Sequence, residues 1–113
     1  MSTPADIRFL TSPAWRALRP VILKRDGYRC RMCSVILTDG RKGDRAAVID
    51  HIRPRSLRPD LALDPDNCWA LCRLDHDGPC ASIEARHAGD ADAIAAAKAS
   101  WRPVGVDGCP VGW

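Results

Sequence analysis

A chain of 113 residues with a net charge of +3 has the size of one domain with a modest core. Its hydrophobic share of 46% is largely Ala and Cys, with one Phe and one Tyr, so a metal or disulfide staple is expected to supplement that core. No apolar run approaches the roughly 20 residues of a membrane span, which excludes a spanning helix. The opening Met-Ser-Thr-Pro-Ala-Asp is not an apolar signal segment, so the expected location is the cytoplasm. Six cysteines there suit metal better than disulfides. The charge is uneven: residues 1–60 carry 13 Lys and Arg against 6 Asp and Glu, while residues 61–113 carry 4 against 8. The basic half is dominated by arginine, whose planar fork matches phosphate, and a polyanionic partner is one reading of it. A solvated charged face is the other.

In chain order, residues 1–12 read as a flexible lead-in. Ser12-Pro13 places a capping residue before a proline at the first helical position. Trp15, Leu18 and Ile22 follow at helical spacing; Pro20 is expected to interrupt or kink that helix, and Asp26-Gly27 to end it. Cys30-Arg-Met-Cys33 is a tight thiol-bearing turn, and Val35-Ile36-Leu37 has the composition of a short strand. Thr38 to Arg45 is a polar loop. Ala46 to Ile52 reads as a second strand ended by Pro54, and residues 53–66, with three prolines, as a loop. Asn67 to Leu71 leads into a second turn. A helix is expected somewhere between residues 75 and 88, its main run from about Pro79 to His87, and an Ala-rich helix from Asp90 to Ser100, closed by Trp101-Arg-Pro103. Domain limits follow: a lead-in over 1–12, one domain over 13–103, and a poorly ordered Gly-rich tail over 104–113.

Three local patterns carry chemistry. Cys30-x-x-Cys33 has the knuckle spacing of a zinc site, and Cys72 stands about 40 residues on. The position three after Cys72 is Asp75, an oxygen ligand; Cys80 is a rival fourth ligand, and Cys68 a third candidate with a simpler reading as a core residue. A thiol redox pair is the competing reading of the CxxC, though it leaves His51, Asn67 and His76 unexplained and no βαβ pattern surrounds it. Asp50-His51 ends an apolar strand, Asn67 follows Pro65-Asp66, and His76 follows the second turn. Each alone has a structural reading: a strand-end pair, a turn residue, a helix cap. Their order relative to the cysteines gives them weight together. Neighbours on a strand point to opposite faces, so Asp50 and His51 fit one cation ligand and one base better than two ligands.

The stretch from about Trp15 to His87 resembles the HNH endonucleases of the ββα-metal fold. "AWRALRPVILKRDGYRCRMC" is similar to the entry into the family's first zinc knuckle, "VIDHIRP" to its Asp-His strand, and "LDPDNCWALCRLDH" to its Asn segment, second knuckle and final His. The departures are Asp75, where the family usually has Cys before the His, and Gly78-Pro79 after it.

That resemblance implies a small α+β fold: a ββα-metal core with flanking helices and a zinc knuckle. It implies an endonuclease that hydrolyses DNA phosphodiester bonds to 3′ hydroxyl and 5′ phosphate ends. His51 would be the general base, oriented by the carboxamide of Asn67. Asp50 and His76 would hold one divalent cation (Mg²⁺, Mn²⁺ or Ni²⁺), and Cys30, Cys33, Cys72 and Asp75 a structural zinc. Arg53, Arg55 and Arg58 in the following loop are candidates for flanking phosphates. The short stand-alone HNH proteins common in bacteriophages are the particular likeness. They imply double-stranded DNA as substrate, no membrane, a bacterial host cytoplasm, and a terminase or another DNA-processing protein as partner. The alternative is a non-catalytic zinc-binding nucleic-acid module on the same scaffold.

Overall fold

A computed structural model describes residues 3–40 and 42–102. Helix α1 (Pro4–Leu10) occupies what the sequence reads as a flexible lead-in. Its start is fixed locally: the Thr3 side chain accepts from the Asp6 N–H, and Asp6 reaches back to the Thr3 N–H in a reciprocal capping box. Helix α2 (Pro13–Arg25) begins at the Ser12 cap and runs through Pro20 without a break. Pro20 is exposed, so the backbone group it leaves unpaired can turn to water. Asp26 closes α2, and Gly27, at φ +66°, takes the left-handed conformation that turns the chain toward the knuckle.

Strand β1 (Ala47–His51) lies within the stretch the sequence marks as a strand. It pairs antiparallel with β2 (Cys68–Cys72), Asp50 opposite Trp69 and His51 opposite Cys68. β2 reads as the approach to a turn because it lacks alternation. All five of its residues are buried, so both faces are apolar and period two is lost. The segment 35–37 forms only an isolated bridge, Arg29 with Ile36. Between the strands, single 3₁₀ turns at Pro59–Leu61 and Pro65–Asn67 fold the proline-rich loop.

After β2 the chain enters one helical rod: α3 (Arg73–Asp75), a π-turn (His76–Cys80) and α4 (Ala81–Arg86). The rod starts at Arg73, just before the 75–88 stretch in which the sequence places a helix, because the Cys72 thiol caps it by accepting from the Asp75 N–H. Pro79 explains the π-turn. In a regular α-helix its ring would press on the carbonyl of Asp75, four residues back, and the widened turn relieves this. Helix α5 (Ala91–Ser100), capped by Asp90, follows as expected, and Trp101 ends it. The glycine-rich tail and Cys109 lie outside the described residues.

The core gathers Trp15, Ile22 and Leu23 of α2, the whole of β2, Ile83 of α4 and Ile94 of α5. Asp26 ties the knuckle to it. Its side chain is almost fully buried and pairs with Arg25 and Arg31, each at 2.9 Å, while accepting from the Ala70 N–H at 2.9 Å. Burial opposes its charge, but Arg25, the Ala70 amide and Arg31 together hold its carboxyl below the usual value. Among the described residues no helix is long and apolar enough to cross a membrane.

Candidate active site and cysteine cluster

The knuckle turn brings Cys30 and Cys33 against the β2–α3 corner, where Cys72 ends a strand and Asp75 sits in the first helical turn. The candidate ligand atoms of Cys30, Cys33, Cys72 and Asp75 all lie within 4.8 Å of one another. Cys33 Sγ is 3.7 Å from Cys72 Sγ, and the Cys30 thiol donates to Asp75 Oδ2 at 3.2 Å. A tetrahedral zinc with sulfur at about 2.3 Å has S···S edges of about 3.8 Å, which the Cys33–Cys72 spacing matches. Without a metal, burial pushes the Cys72 thiol up to about 12 and raises Cys33 as well. The metal-free cluster therefore holds protons that an entering ion must displace. Cys80, the rival fourth ligand, is elsewhere: the rod turns it to Asp50 and Glu84. Cys68 is a buried core thiol raised to about 11 by burial.

His76 follows Asp75 directly, so one helical step separates the cysteine cluster from a second centre. The buried Asp50 carboxylate places Oδ1 3.7 Å from His76 Nε2. His76 Nδ1 lies 3.1 Å from Asp77 Oδ1. A carboxylate only accepts, so Asp77 can take a proton from Nδ1 in the tautomer that turns the Nε2 lone pair toward Asp50. Two ligands of one cation at about 2.1 Å bonds stand roughly 3–4 Å apart, and the Asp50–His76 pair falls in that range.

His51 leaves β1 on the other side. Its ring stacks on Trp15 at 4.8 Å and 21° and meets Phe9 at 5.9 Å. Nε2 is 2.9 Å from the Ala62 carbonyl, which can only accept, so Nε2 is the protonated nitrogen and Nδ1 is free to act as a base. Burial lowers its pKa below the ordinary 6.5, outweighing the Ala62 bond and the neighbouring Asp50 charge, so the ring is neutral at pH 7. Asp50, His51 and His76 share the wall of one cleft of about 360 Å³.

Two expected contacts differ. The Asn67 side chain makes no hydrogen bond to His51. Its Oδ1 accepts from the Arg53 N–H at 2.9 Å, and its Nδ2 donates to the carbonyls of Arg53 at 3.0 Å and Leu61 at 3.4 Å. It pins the loop whose next carbonyl, that of Ala62, holds His51, so any orienting effect passes through the backbone. The loop arginines are also engaged: Arg53 with Asp92 at 2.9 Å, Arg58 with Asp60 at 2.8 Å, and Arg55 with Asp6 while lying over the Phe9 ring. Each has a carboxylate that phosphate would have to displace.

Sequence reasoning missed Lys98. Its ammonium, almost fully buried, donates to Asp50 Oδ2 at 2.9 Å, Glu84 Oε2 at 2.8 Å and the His51 carbonyl at 2.8 Å. Burial works against its charge, but the Asp50 carboxylate and its other partners prevail and raise its pKa. Trp69 Nε1 donates to the same Asp50 oxygen at 2.8 Å. Oδ2 is thus fixed by two donors, and Oδ1 is left facing His76. One signal was available: Lys98 lies four residues after Ile94 on the apolar face of α5, an uncomfortable place for an unpaired charge.

Two antiparallel strands followed by a helix, with Asp and His at the end of the first strand and His on the helix, define the class of ββα nuclease folds. Residues 30–78 match the family model described as HNH endonuclease. The family is nuclease-type, uses divalent metal and acts on DNA. No curated protein and no solved structure matches the chain.

Proposed function

We propose that the protein is an endonuclease that hydrolyses phosphodiester bonds of double-stranded DNA, using one divalent cation at Asp50 and His76 and His51 as general base. The observation that carries this is the 3.7 Å approach of Asp50 Oδ1 to His76 Nε2 beside an imidazole whose free nitrogen is Nδ1. Bound Mg²⁺, Mn²⁺ or Ni²⁺ would supply positive charge to the reacting phosphate and the departing 3′ oxygen. His51, neutral near pH 7, accepts a proton from the attacking water at Nδ1, and Trp15 and the Ala62 carbonyl keep its ring from turning. Asn67 holds the loop that presents that carbonyl. Lys98 and Trp69 hold Asp50 at Oδ2. The Cys30, Cys33, Cys72 and Asp75 set holds a structural zinc that fixes the start of the rod carrying His76.

The test is plasmid cleavage with each cation and in EDTA, joined to calorimetry of cation binding. Cleavage should need the cation. His51→Ala should abolish cleavage while the cation still binds; His76→Ala should weaken both. No cleavage with any cation, or equal loss of cation binding in the two variants, would sink the assignment. One observation favours a second reading, a non-catalytic zinc-bearing nucleic-acid module: the Lys98 ammonium already neutralises Asp50. That reading expects no cation binding at Asp50 and DNA binding that survives His76→Ala.

A further inference from the structure

Arg16, Arg19 and Arg73 line a cleft of about 730 Å³ that no role above uses. Its walls include Leu10, Trp15, Val48 and Ile49, and the cleft over Asp50, His51 and His76 includes the same four. The two clefts therefore lie side by side against β1, with a shared wall. Arg16 and Arg19 are three residues apart on α2 and share a helix face, separated by about 4.5 Å along the axis. Arg19 donates one N–H to the Ala47 carbonyl at 3.0 Å, which fixes the guanidinium at the cleft and leaves donors for a ligand. The Arg16 side chain has no hydrogen-bond or ion-pair partner among the described residues. Arg73 stands at the start of α3, 3.9 Å from Asp77. Asp39 is the one carboxylate on the cleft wall. Arg16 and Arg19 meet no acid there and Arg73 meets Asp77 only at 3.9 Å, whereas Arg53, Arg55 and Arg58 are each held by a closer carboxylate.

We propose that this cleft holds the DNA backbone beside the scissile phosphate, with Arg16, Arg19 and Arg73 taking successive phosphates. The proposal rests on the nuclease reading and moves phosphate binding from the 53–58 loop to the α2–β1 cleft. Flat guanidinium forks suit phosphate oxygens, and the shared wall leads a strand directly to His51 and Asp50.

The experiment uses the full chain carrying His51→Ala, so that the substrate persists, and a fluorescein-labelled duplex of mixed sequence. Anisotropy titrations from about 50 to 200 mM KCl give the dependence of log affinity on log salt, which falls by about 0.9 per lost phosphate contact. Arg16→Ala, at an exposed position, should lower the slope by about 0.9, and the triple variant Arg16→Ala/Arg19→Ala/Arg73→Ala by about 2.7. Arg53→Ala/Arg58→Ala removes two charges as a control and should leave the slope within about 0.5 of the parent, far from the roughly 1.8 of two lost contacts. Should the triple variant unfold by circular dichroism, Arg16→Ala alone decides. An unchanged slope in Arg16→Ala, or a larger drop in the Arg53/Arg58 control, overturns the cleft, while DNA binding by the parent leaves the nuclease reading to the separate cleavage test. A parent that binds no DNA removes both.

Discussion

Replacing Lys98 with Met keeps most of the side chain's volume and deletes its charge. Three acceptors then lose a donor: Asp50 Oδ2, Glu84 Oε2 and the His51 carbonyl. The Asp50 carboxylate dominates, because it is buried and keeps only the Trp69 N–H on that oxygen. Breaking a buried ion pair by removing one partner costs about 3–5 kcal/mol. Glu84 is about one-third exposed at its side chain, so water relieves it and its share is small. We expect Lys98→Met to lose about 3–5 kcal/mol, a large part of the roughly 5–15 kcal/mol typical of a domain. Asp50→Asn should also destabilise, since it leaves the buried ammonium short of a counter-charge. The double variant should lose much less than the sum, with a coupling of about 2 kcal/mol or more. The assay is urea melting of the four proteins at one pH and one metal content. A coupling under about 0.5 kcal/mol would mean that Lys98 and Asp50 act independently, and the account of how Asp50 is held would fail.

Three further expectations follow from the site. In protein free of divalent cation, the His51 ring should titrate below 6.5 by NMR, and Trp15→Ala, which removes its stacking cover, should raise that value. The sign for stability is that a lowered folded-state pKa costs nothing above about 6.5 and loses stability as pH falls below it; a His51 pKa at or above 6.5 would contradict the burial argument. Elemental analysis should find one zinc per chain; Cys30→Ser should lower both zinc content and melting temperature, Asp75→Cys should keep or tighten the site, and Cys80→Ser should leave the zinc in place. Loss of zinc on Cys80→Ser alone would overturn the ligand set. Asn67→Ala should lower stability by roughly 2–3 kcal/mol in urea, for its bonds to Arg53 and Leu61, and slow plasmid cleavage while calorimetric cation affinity stays within about twofold. Unchanged stability would mean that those bonds count for little.

What was legible in the sequence was chemistry at fixed spacing. Cys30, Cys33, Cys72 and Asp75 are residue types with few other uses in that order, and in space they gather. β1 was legible because one of its neighbours was punctuation, Pro54, and its residues were apolar. β2 was not, since a strand buried on both faces has no alternation and five residues are too few to set it apart from a helix start. α1 was hidden by its size: seven residues show little periodicity, and only the Thr3–Asp6 capping pair marked it. Lys98 was hidden for another reason. Its partners Asp50 and Glu84 are 48 and 14 positions away, and a contact of that kind leaves no local trace. The arginines illustrate the same limit: composition gave their number, but which of them meet an acid depends on how Asp6, Asp60 and Asp92 fold around the loop.

The π-turn at His76–Cys80 sets the phase of everything after it. A helix advances about 100° per residue, so one residue more or less between His76 and Ala81 turns the rest of the rod by that angle. In the present phase Ile83 points into the core, and Cys80 and Glu84 face Asp50. Shortening the turn by one residue would swing Glu84 away from Lys98 and expose Ile83, while His76, upstream, kept its place. The extra residue of the π-turn therefore acts as an indexing step, which lets a helix that starts at the cysteine cluster bring a second set of side chains to Asp50.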